Sequence, residues 1–244
     1  MQKICLIVPC FNEASRLMPE EFLRYLSERP GVSLCFVDDG SVDDTGSVLG
    51  QMRSMAEGRV SVITLQKNEG KAEAVRTGML ECLKNRDIAL LGYMDADLST
   101  PLDEIDLLID NLNNAPGILM AVGSRVKRLG SDIERSMLRH YPSRLFATLA
   151  SIVLDLPVYD TQCGAKIFRY DIAMKIFGER FITRWLFDVE IFARIMKVLG
   201  RSSTLEAALE VPLRRWHNKK GSKLGLGHIV RVPLDLLRIY LSYR

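Results

Sequence analysis

The chain has no apolar stretch of the roughly 18 residues that a membrane-spanning helix needs. A leader peptide is not expected either, because Met1-Gln2-Lys3 runs directly into a short strand-like segment. No internal repeat or low-complexity tract interrupts the sequence, which excludes solenoids and long disordered linkers. The glycines never take the spacing of a phosphate loop. The five cysteines (Cys5, Cys10, Cys35, Cys82, Cys163) are odd in number and lack metal-ligand spacing. They read as buried thiols in a reducing, cytoplasmic compartment. What is present fits one large α/β domain with a modest extension: 244 residues, 48% hydrophobic, are enough for a core of normal size.

Charge is sparse in sum but uneven in place. The net charge is +3, yet from residue 201 onward nine Lys/Arg face only three Asp/Glu. A basic end suits an anionic partner such as a phosphate or a lipid head group. A solvated basic face would have the same composition. Nucleic acid is a poor fit, because the aromatic residues that stack with bases on such surfaces are not interleaved here.

The first half alternates strand-like and helix-like segments. Residues 4–8, 32–37, 60–65, 88–94 and 118–122 are short apolar runs that predict strands. Residues 20–28, 44–55, 71–83 and 103–112 carry helical spacing, and the Ser41/Asp43 region can cap the second of these helices. Such alternation implies a mostly parallel sheet with helices on both faces. After residue 125 the pattern changes. Residues 131–156 predict one or two helices, 163–168 a strand, 172–177 and 187–199 helices, and 204–212 a strand. A Gly/Lys-rich loop follows at 218–227, then an apolar and basic helix at 228–243. The expected organisation is a domain over 1–212, divided at 125/126, followed by a basic loop and amphipathic helix over 213–244.

In parallel sheets, ligands bind beyond the carboxyl ends of the strands. The polar motifs of this chain fall at those ends. Asp95-Ala96-Asp97 closes the fourth strand, where two carboxylates one residue apart can share a hard cation such as Mg2+ or Mn2+. Asp38-Asp39-Gly40-Ser41 closes the second strand, where carboxylates can accept bonds from a base or ribose, or simply form a turn and helix cap. Asn68-Glu69-Gly70-Lys71 precedes a helix, a place that favours an anion. Gly123-Ser124-Arg125 closes the fifth strand, while Arg139 and Ser143 are four apart and can share a helical face. Arginine forks match phosphate geometry. Asp188 and Glu190, two apart on a helix, diverge, so one of them can face a site while the other is structural.

Taken in order, these motifs resemble those of the family 2 glycosyltransferases with the GT-A fold. Val8-Pro9-Cys10-Phe11-Asn12-Glu13 is similar to that family's opening motif. Val37-Asp38-Asp39-Gly40-Ser41-Val42-Asp43 is similar to its nucleotide motif, and Asp95-Ala96-Asp97 to its metal motif. Three further segments resemble the polyprenyl-phosphate glycosyltransferases, above all the dolichyl-phosphate β-glucosyltransferase branch. They are Asp160-Thr161-Gln162-Cys163-Gly164-Ala165-Lys166-Ile167-Phe168, Trp185-Leu186-Phe187-Asp188-Val189-Glu190 and Gly221-Ser222-Lys223-Leu224. The resemblance implies a Rossmann-like GT-A domain with a C-terminal, acceptor-side extension. It implies inverting transfer of a hexose, glucose in the first place, from a nucleotide sugar such as UDP-glucose to a polyprenyl phosphate, with Mg2+ or Mn2+ as cofactor.

Position by position, the resemblance implies that Pro9, Asn12 and Glu13 line the nucleotide pocket. It puts Asp38 and Asp39 at the nucleotide with Lys71 nearby, Asp95 at the donor ribose or sugar, and Asp97 on the metal. Arg125, Arg139 and Ser143 would hold the acceptor phosphate, Gln162 would lie near the sugar, and Asp188 close to the reaction centre. Two positions depart from the pattern. Ser99 stands two residues past Asp97, where the mannose synthases of this group commonly carry Gln, and Ala72 follows Gly70-Lys71 where a second Gly is usual.

A phosphate acceptor is already an anion at neutral pH, so such a reaction needs charge compensation more than a strong base. Two other enzyme classes bear comparison with these motifs. A family 2 transferase acting on a saccharide hydroxyl would share these motifs, whereas a sugar-nucleotide pyrophosphorylase would need a Gly-rich N-terminal signature that is missing. A non-catalytic nucleotide-sugar-binding protein would have no use for Asp95 and Asp97. At the C-terminus, Ile229, Val232, Leu236, Leu237, Ile239 and Tyr240 with Arg231, Arg238 and Arg244 can lie on an anionic bilayer. That would make the protein peripheral on the cytoplasmic face of a membrane. The same helix could instead pack on the core or on a second copy in a homo-oligomer.

Overall fold

The structure is a computed structural model that describes residues 2–56, 58–134, 137–219 and 226–243, without the side chains of 137–144 and 226–230. In chain order the elements are β1 (Lys3–Cys10), α1 (Pro19–Glu28), β2 (Val32–Asp38), α2 (Thr45–Met55), β3 (Val60–Thr64), α3 (Lys71–Cys82), β4 (Ile88–Met94) and α4 (Leu102–Asn114). They continue with β5 (Met120–Ser124), β6 (Asp132–Ile133), α5 (Met137–Leu154), β7 (Ala165–Arg169), α6 (Tyr170–Ile176), α7 (Phe187–Leu199), α8 (Arg201–Ala207), β8 (Ala208–Pro212), β9 (Arg215–Trp216) and α9 (Leu226–Tyr243). The fold class is α/β, with a mostly parallel sheet and flanking helices.

The chain folds as two compact units, each assembled from two stretches: Met1–Leu98 with Gly164–Arg180, and Ser99–Cys163 with Phe181–Arg244. In the first unit the strands run β3-β2-β1-β4-β7. β1 pairs in parallel with both β2 and β4, β2 pairs in parallel with β3, and β7 is antiparallel to β4. Successive strand residues point to opposite faces, yet Leu6, Ile7 and Val8 are all fully buried. Both faces are therefore covered, which is why these strands read as unbroken apolar runs rather than alternating ones. α3 packs on β1 and β2 through Ala72, Ala74, Val75 and Met79.

The second unit pairs β5 with β8 and β6 with β9, both in parallel. α4 covers β5 and β8, while α7 gathers α5, α8 and α9 around it. α7 is buried at every position from Phe187 to Ile195, including Asp188, Glu190 and Arg194. The Glu190 carboxylate is satisfied on all sides. It accepts bonds from the backbone N–H of Ile182 (2.9 Å) and Thr183 (3.3 Å), from Arg194 Nη2 (2.9 Å) and from the Tyr243 hydroxyl (2.7 Å). Arg194 also lies over the Phe181 ring. This buried pair thus ties the end of α9 and the segment before α7 to α7 itself.

Several boundaries differ from expectation. Residues 204–207, expected as strand, are helical, because Gly200 at φ +80° ends α7 and the chain starts a new turn in which Thr204 Oγ1 donates to the Gly200 carbonyl (2.7 Å). The region 131–156 begins with the short β6 rather than a helix, as residues 132–133 pair with 215–216. The fifth strand starts at Met120, not 118. Pro233 lies inside α9, where it removes one helix bond. Most of the expected loop at 218–227 lies outside the described residues. Among the described residues no helix is long and apolar enough to cross a membrane.

Burial first, then the Glu190 carboxylate, push the Tyr243 pKa up to about 12 from an ordinary 10. A raised value means that the neutral hydroxyl stabilises the fold below pH 10 and loses that contribution as pH rises through 12. Tyr243→Phe is expected to lower the urea unfolding free energy at neutral pH by about 1–3 kcal/mol. Its loss relative to wild type should shrink between pH 10 and 12.

Candidate active site

Because β1, β2 and β4 are parallel neighbours, their carboxyl ends emerge side by side. The turns there are stitched by side-chain-to-backbone bonds. Asn12 Oδ1 accepts from Val42 N (2.9 Å), and Ser41 Oγ accepts from Asn12 N (2.9 Å). Thr45 Oγ1 accepts from Glu13 N (2.8 Å), and Asp38 Oδ1 accepts from Ser41 N (2.9 Å). Asp43 Oδ1 takes the N–H of Thr45, the first residue of α2, at 3.1 Å, whereas the N-cap position itself is Asp44, which makes no side-chain cap bond. Asp39, 3% exposed, accepts from Glu69 N (2.7 Å) and Gly70 N (2.9 Å), one per carboxylate oxygen. It thereby fixes the turn that delivers Lys71 at the start of α3. Gly40 is obligatory: its φ is +67°, and a Cβ would stand 2.5 Å from the Lys67 carbonyl carbon.

The two aspartates of the β4 motif each face a basic side chain of the chain itself. Lys71 Nζ lies 2.5 Å from Asp95 Oδ1. Arg16 Nη1 lies 3.9 Å from Asp97 Oδ2, while its Nε and Nη2 fork onto Glu13 at 2.7 and 2.5 Å. The hydrogen bond to Glu13, and then the charges of Glu13, Asp97 and Asp95, hold the Arg16 pKa above its ordinary value against the opposing effect of burial. Asn12 (φ +50°) and Leu98 (φ +52°) flank the cluster in the left-handed region. That conformation costs a non-glycine residue on the order of 1–3 kcal/mol and is a feature of functional turns. Pro9 sits opposite Val37 in the β1–β2 register.

Three members of this cluster escaped the sequence. Arg16 follows Glu13 by three, a pair that could have been sought by ion-pair spacing. Gly164 lies in the Asp160–Phe168 segment, whose resemblance assigns a site role to Gln162 alone. A Cβ at Gly164 would lie 1.9 Å from Asp95 Oδ2, so the carboxylate rests directly on the Gly164 backbone. Lys166 is fully buried with its ammonium 5.3 Å from the centre of the Tyr93 ring, which Lys71 also faces at 6.0 Å.

The remaining expected residues belong to the second unit. Arg125 forks onto Asp160, Nε and Nη2 each 2.7 Å from a carboxylate oxygen, and its guanidinium lies 5.2 Å from the centre of the Trp216 ring. Glu210 in turn accepts from Tyr159 N (2.9 Å) and Asp160 N (2.6 Å). Gln162 Nε2, Thr161 Oγ1 and Ser124 Oγ are buried atoms without a hydrogen-bond partner. Such atoms cost about 1–3 kcal/mol each unless a ligand or water meets them. Asp188 is 3% exposed in the first turn of α7, and Glu190 is the structural member of that pair. The side chains of Arg139 and Ser143, on α5, lie outside the described residues.

The donor set at the end of β4 suits a hard divalent cation. Asp95 and Asp97 offer carboxylate oxygens, and the Gly164 backbone leaves the first of them room. Among the described residues no group of three His, Cys, Asp or Glu could enclose an ion. A cation there would therefore complete its shell with water and substrate oxygens, as Mg2+ commonly does.

Comparison with known proteins bears on the family and the fold. The model of glycosyl transferase family 2 matches residues 5–177. The dolichyl-phosphate β-glucosyltransferase of Drosophila melanogaster is 33% identical over 99% of this chain and 75% of its own length. One from Trichomonas vaginalis is 31% identical over 98% of this chain and 71% of its own length. Among solved structures, glucosyl-3-phosphoglycerate synthase from Mycobacterium tuberculosis, in complex with Mn2+ and uridine-diphosphate-glucose, superposes with a TM-score of 0.67. That likeness covers 99% of this chain and 79% of the other at 19% identity, and it bears on the fold, which is GT-A. The chain belongs to glycosyl transferase family 2.

Gly164→Ala tests the contact beneath Asp95. It is expected to reduce glycosyl transfer at least about tenfold, equivalent to about 1.4 kcal/mol, while the thermal midpoint stays within a few degrees of wild type.

Proposed function

We propose that this chain is an inverting, divalent-cation-dependent hexosyltransferase that moves glucose from UDP-glucose to a polyprenyl phosphate. The observation that carries the proposal is the gathering of Asp95 and Asp97 with Lys71 and Arg16 beside the Asp38–Ser41 turn. The choice of sugar and acceptor is supported by near full-length similarity to dolichyl-phosphate β-glucosyltransferases.

In this reaction an oxygen of the acceptor phosphate attacks C1 of the sugar on the face opposite the diphosphate. The C1–O bond to the diphosphate breaks as the new bond forms, and the nucleoside diphosphate leaves. Because the nucleophile is already an anion, the protein's task is to hold anions in line and compensate their charge. Mg2+ or Mn2+ at Asp97 would neutralise the departing diphosphate. In this scheme Pro9, Asn12, Glu13, Asp38, Asp39 and Lys71 serve the nucleotide, Asp95 and Gln162 the donor sugar, and Asp188 the reacting centre. Arg125, Arg139 and Ser143 serve the acceptor phosphate. For Arg125 this requires the phosphate to share or displace Asp160, to which two of its donors are given. Residues 1–125 then form the donor half and 126–212 the acceptor half.

The lipid acceptor makes a bilayer surface part of the same proposal, with the protein peripheral on its cytoplasmic face. α9 turns Leu236 and Ile239 inward, whereas Leu234, Leu237 and Leu241 are exposed beside Arg231 and Arg238. α5, which touches α9, exposes Leu145, Leu149 and Ile152. Apolar stripes flanked by arginine suit an anionic membrane interface.

The decisive experiment is a screen of UDP- and GDP-sugars against a short polyprenyl phosphate, with and without Mn2+. Lipid-linked glucose formed from UDP-glucose and Mn2+ is expected, whereas transfer to a saccharide hydroxyl in its place would refute the acceptor. Asp97→Ala should abolish the metal-dependent turnover, while Asp188→Asn should retain part of it. Complete loss at Asp188 with donor binding unchanged would mean an essential base and a hydroxyl acceptor. With vesicles containing anionic lipid, the chain should float, and should float less at high salt. A chain that stays at the bottom of the gradient and elutes as a dimer would instead assign the leucine stripes to a second copy.

A further inference from the structure

Both aspartates of the strand-end motif are already paired with cations that belong to the chain. Lys71 sits on Asp95 at 2.5 Å, and Arg16 stands 3.9 Å from Asp97. Arg16 is not a loose surface arginine. Its fork onto Glu13 uses Nε and Nη2, and Glu13 is itself held through its backbone N–H to Thr45 Oγ1. The Arg16 side chain is three-quarters buried, and the fork onto Glu13 leaves Nη1 as the nitrogen nearest Asp97. A divalent ion approaching Asp97 alone therefore meets the Arg16 guanidinium at close range, and although Glu13 compensates part of that charge, the ion's attraction to the carboxylate is reduced. A diphosphate changes the sign of the balance. Its negative oxygens are drawn to Arg16 and Lys71, and they supply the ligands that the protein lacks, since no group of three candidate ligands exists among the described residues.

We propose that Arg16 and Lys71 are built-in counter-cations that make divalent-metal binding at Asp97 conditional on the nucleotide diphosphate. This rests on the function proposed above and adds a role for two side chains: they suppress binding of the bare ion and strengthen binding of the ion together with diphosphate. Coupling of this kind is reciprocal, so the metal must strengthen diphosphate binding by the same factor that diphosphate strengthens metal binding. Arg16 acts by its charge on Asp97 and on the diphosphate and takes no part in making or breaking bonds.

The test uses the full chain and two probes, Mn2+ and uridine diphosphate. Mn2+ binding is read from the electron paramagnetic resonance of the free ion, and diphosphate binding by calorimetry at fixed Mn2+ concentrations. Wild type should bind Mn2+ alone weakly and should show strong mutual enhancement with the diphosphate. Arg16→Gln should tighten binding of Mn2+ alone about tenfold and reduce the mutual enhancement about tenfold or more. Arg16→Lys, which keeps the charge, should restore much of the wild-type coupling. Lys71→Gln should move both quantities in the same direction as Arg16→Gln, which provides a second reading should one variant fold poorly by circular dichroism. An Arg16→Gln chain whose affinity for Mn2+ alone equals or falls below that of wild type overturns the inference, including the case in which neither chain binds the ion. If wild type binds Mn2+ but no nucleoside diphosphate, the proposed function fails. The response of bare Mn2+ binding to Arg16→Gln then still upholds or overturns the suppression by charge.

Discussion

The site depends on a balance of charge at one edge of a parallel sheet. Running β1, β2 and β4 in the same direction forces their polar ends together. Glu13, Asp95 and Asp97 would repel one another in that company. Arg16 and Lys71 remove the difficulty by standing among them. The apolar strands behind, with Leu6, Ile7 and Val8 fully buried, supply a rigid base that keeps these charges from drifting apart.

Much of this was legible in the sequence, for identifiable reasons. Strand–helix alternation in the first 125 residues is strong because β1, β2, β4 and β5 are buried on both faces and bounded by turn chemistry, and the observed elements there fall within a few residues of their expected places. The motif positions were legible because a parallel sheet converts strand ends into neighbours. Partnerships were not. Asp39 appeared as a group free to meet a base, yet its oxygens hold the amides of Glu69 and Gly70. Arg125 appeared as a surface fork for phosphate, yet Asp160 occupies two of its donors, thirty-five positions away in the chain. No local pattern carries information over such distances. The misread at 204–207 is of another kind: a short segment with Gly before it has weak periodicity, and the turn geometry at Gly200 decided it.

In the second unit, ionic side chains are used for construction. The buried Glu190 carboxylate takes Arg194, Tyr243 and two backbone amides, and the Asp160 carboxylate takes the Arg125 backbone amide as well as its guanidinium. Pairs like these contribute little net stability compared with apolar packing, but losing one partner leaves a buried charge alone. Their value is geometric. Glu190 holds the segment that enters α7, and so fixes the turn from which Asp188 projects.

The last strand to join the first unit has a consequence for the protein's synthesis. β7 pairs along β4 from Leu90–Arg169 to Met94–Ala165, although some seventy residues separate them. Until 165–169 leave the ribosome, the outer edge of β4 exposes unpaired amides and carbonyls on an apolar strand, a template for wrong pairing. At translation speeds of about 5–20 residues per second, this exposure lasts on the order of 4–14 seconds. The nascent chain therefore passes through a stage in which the first of its two units is largely formed but open along one side, and that stage is where chaperone binding would most reduce aggregation.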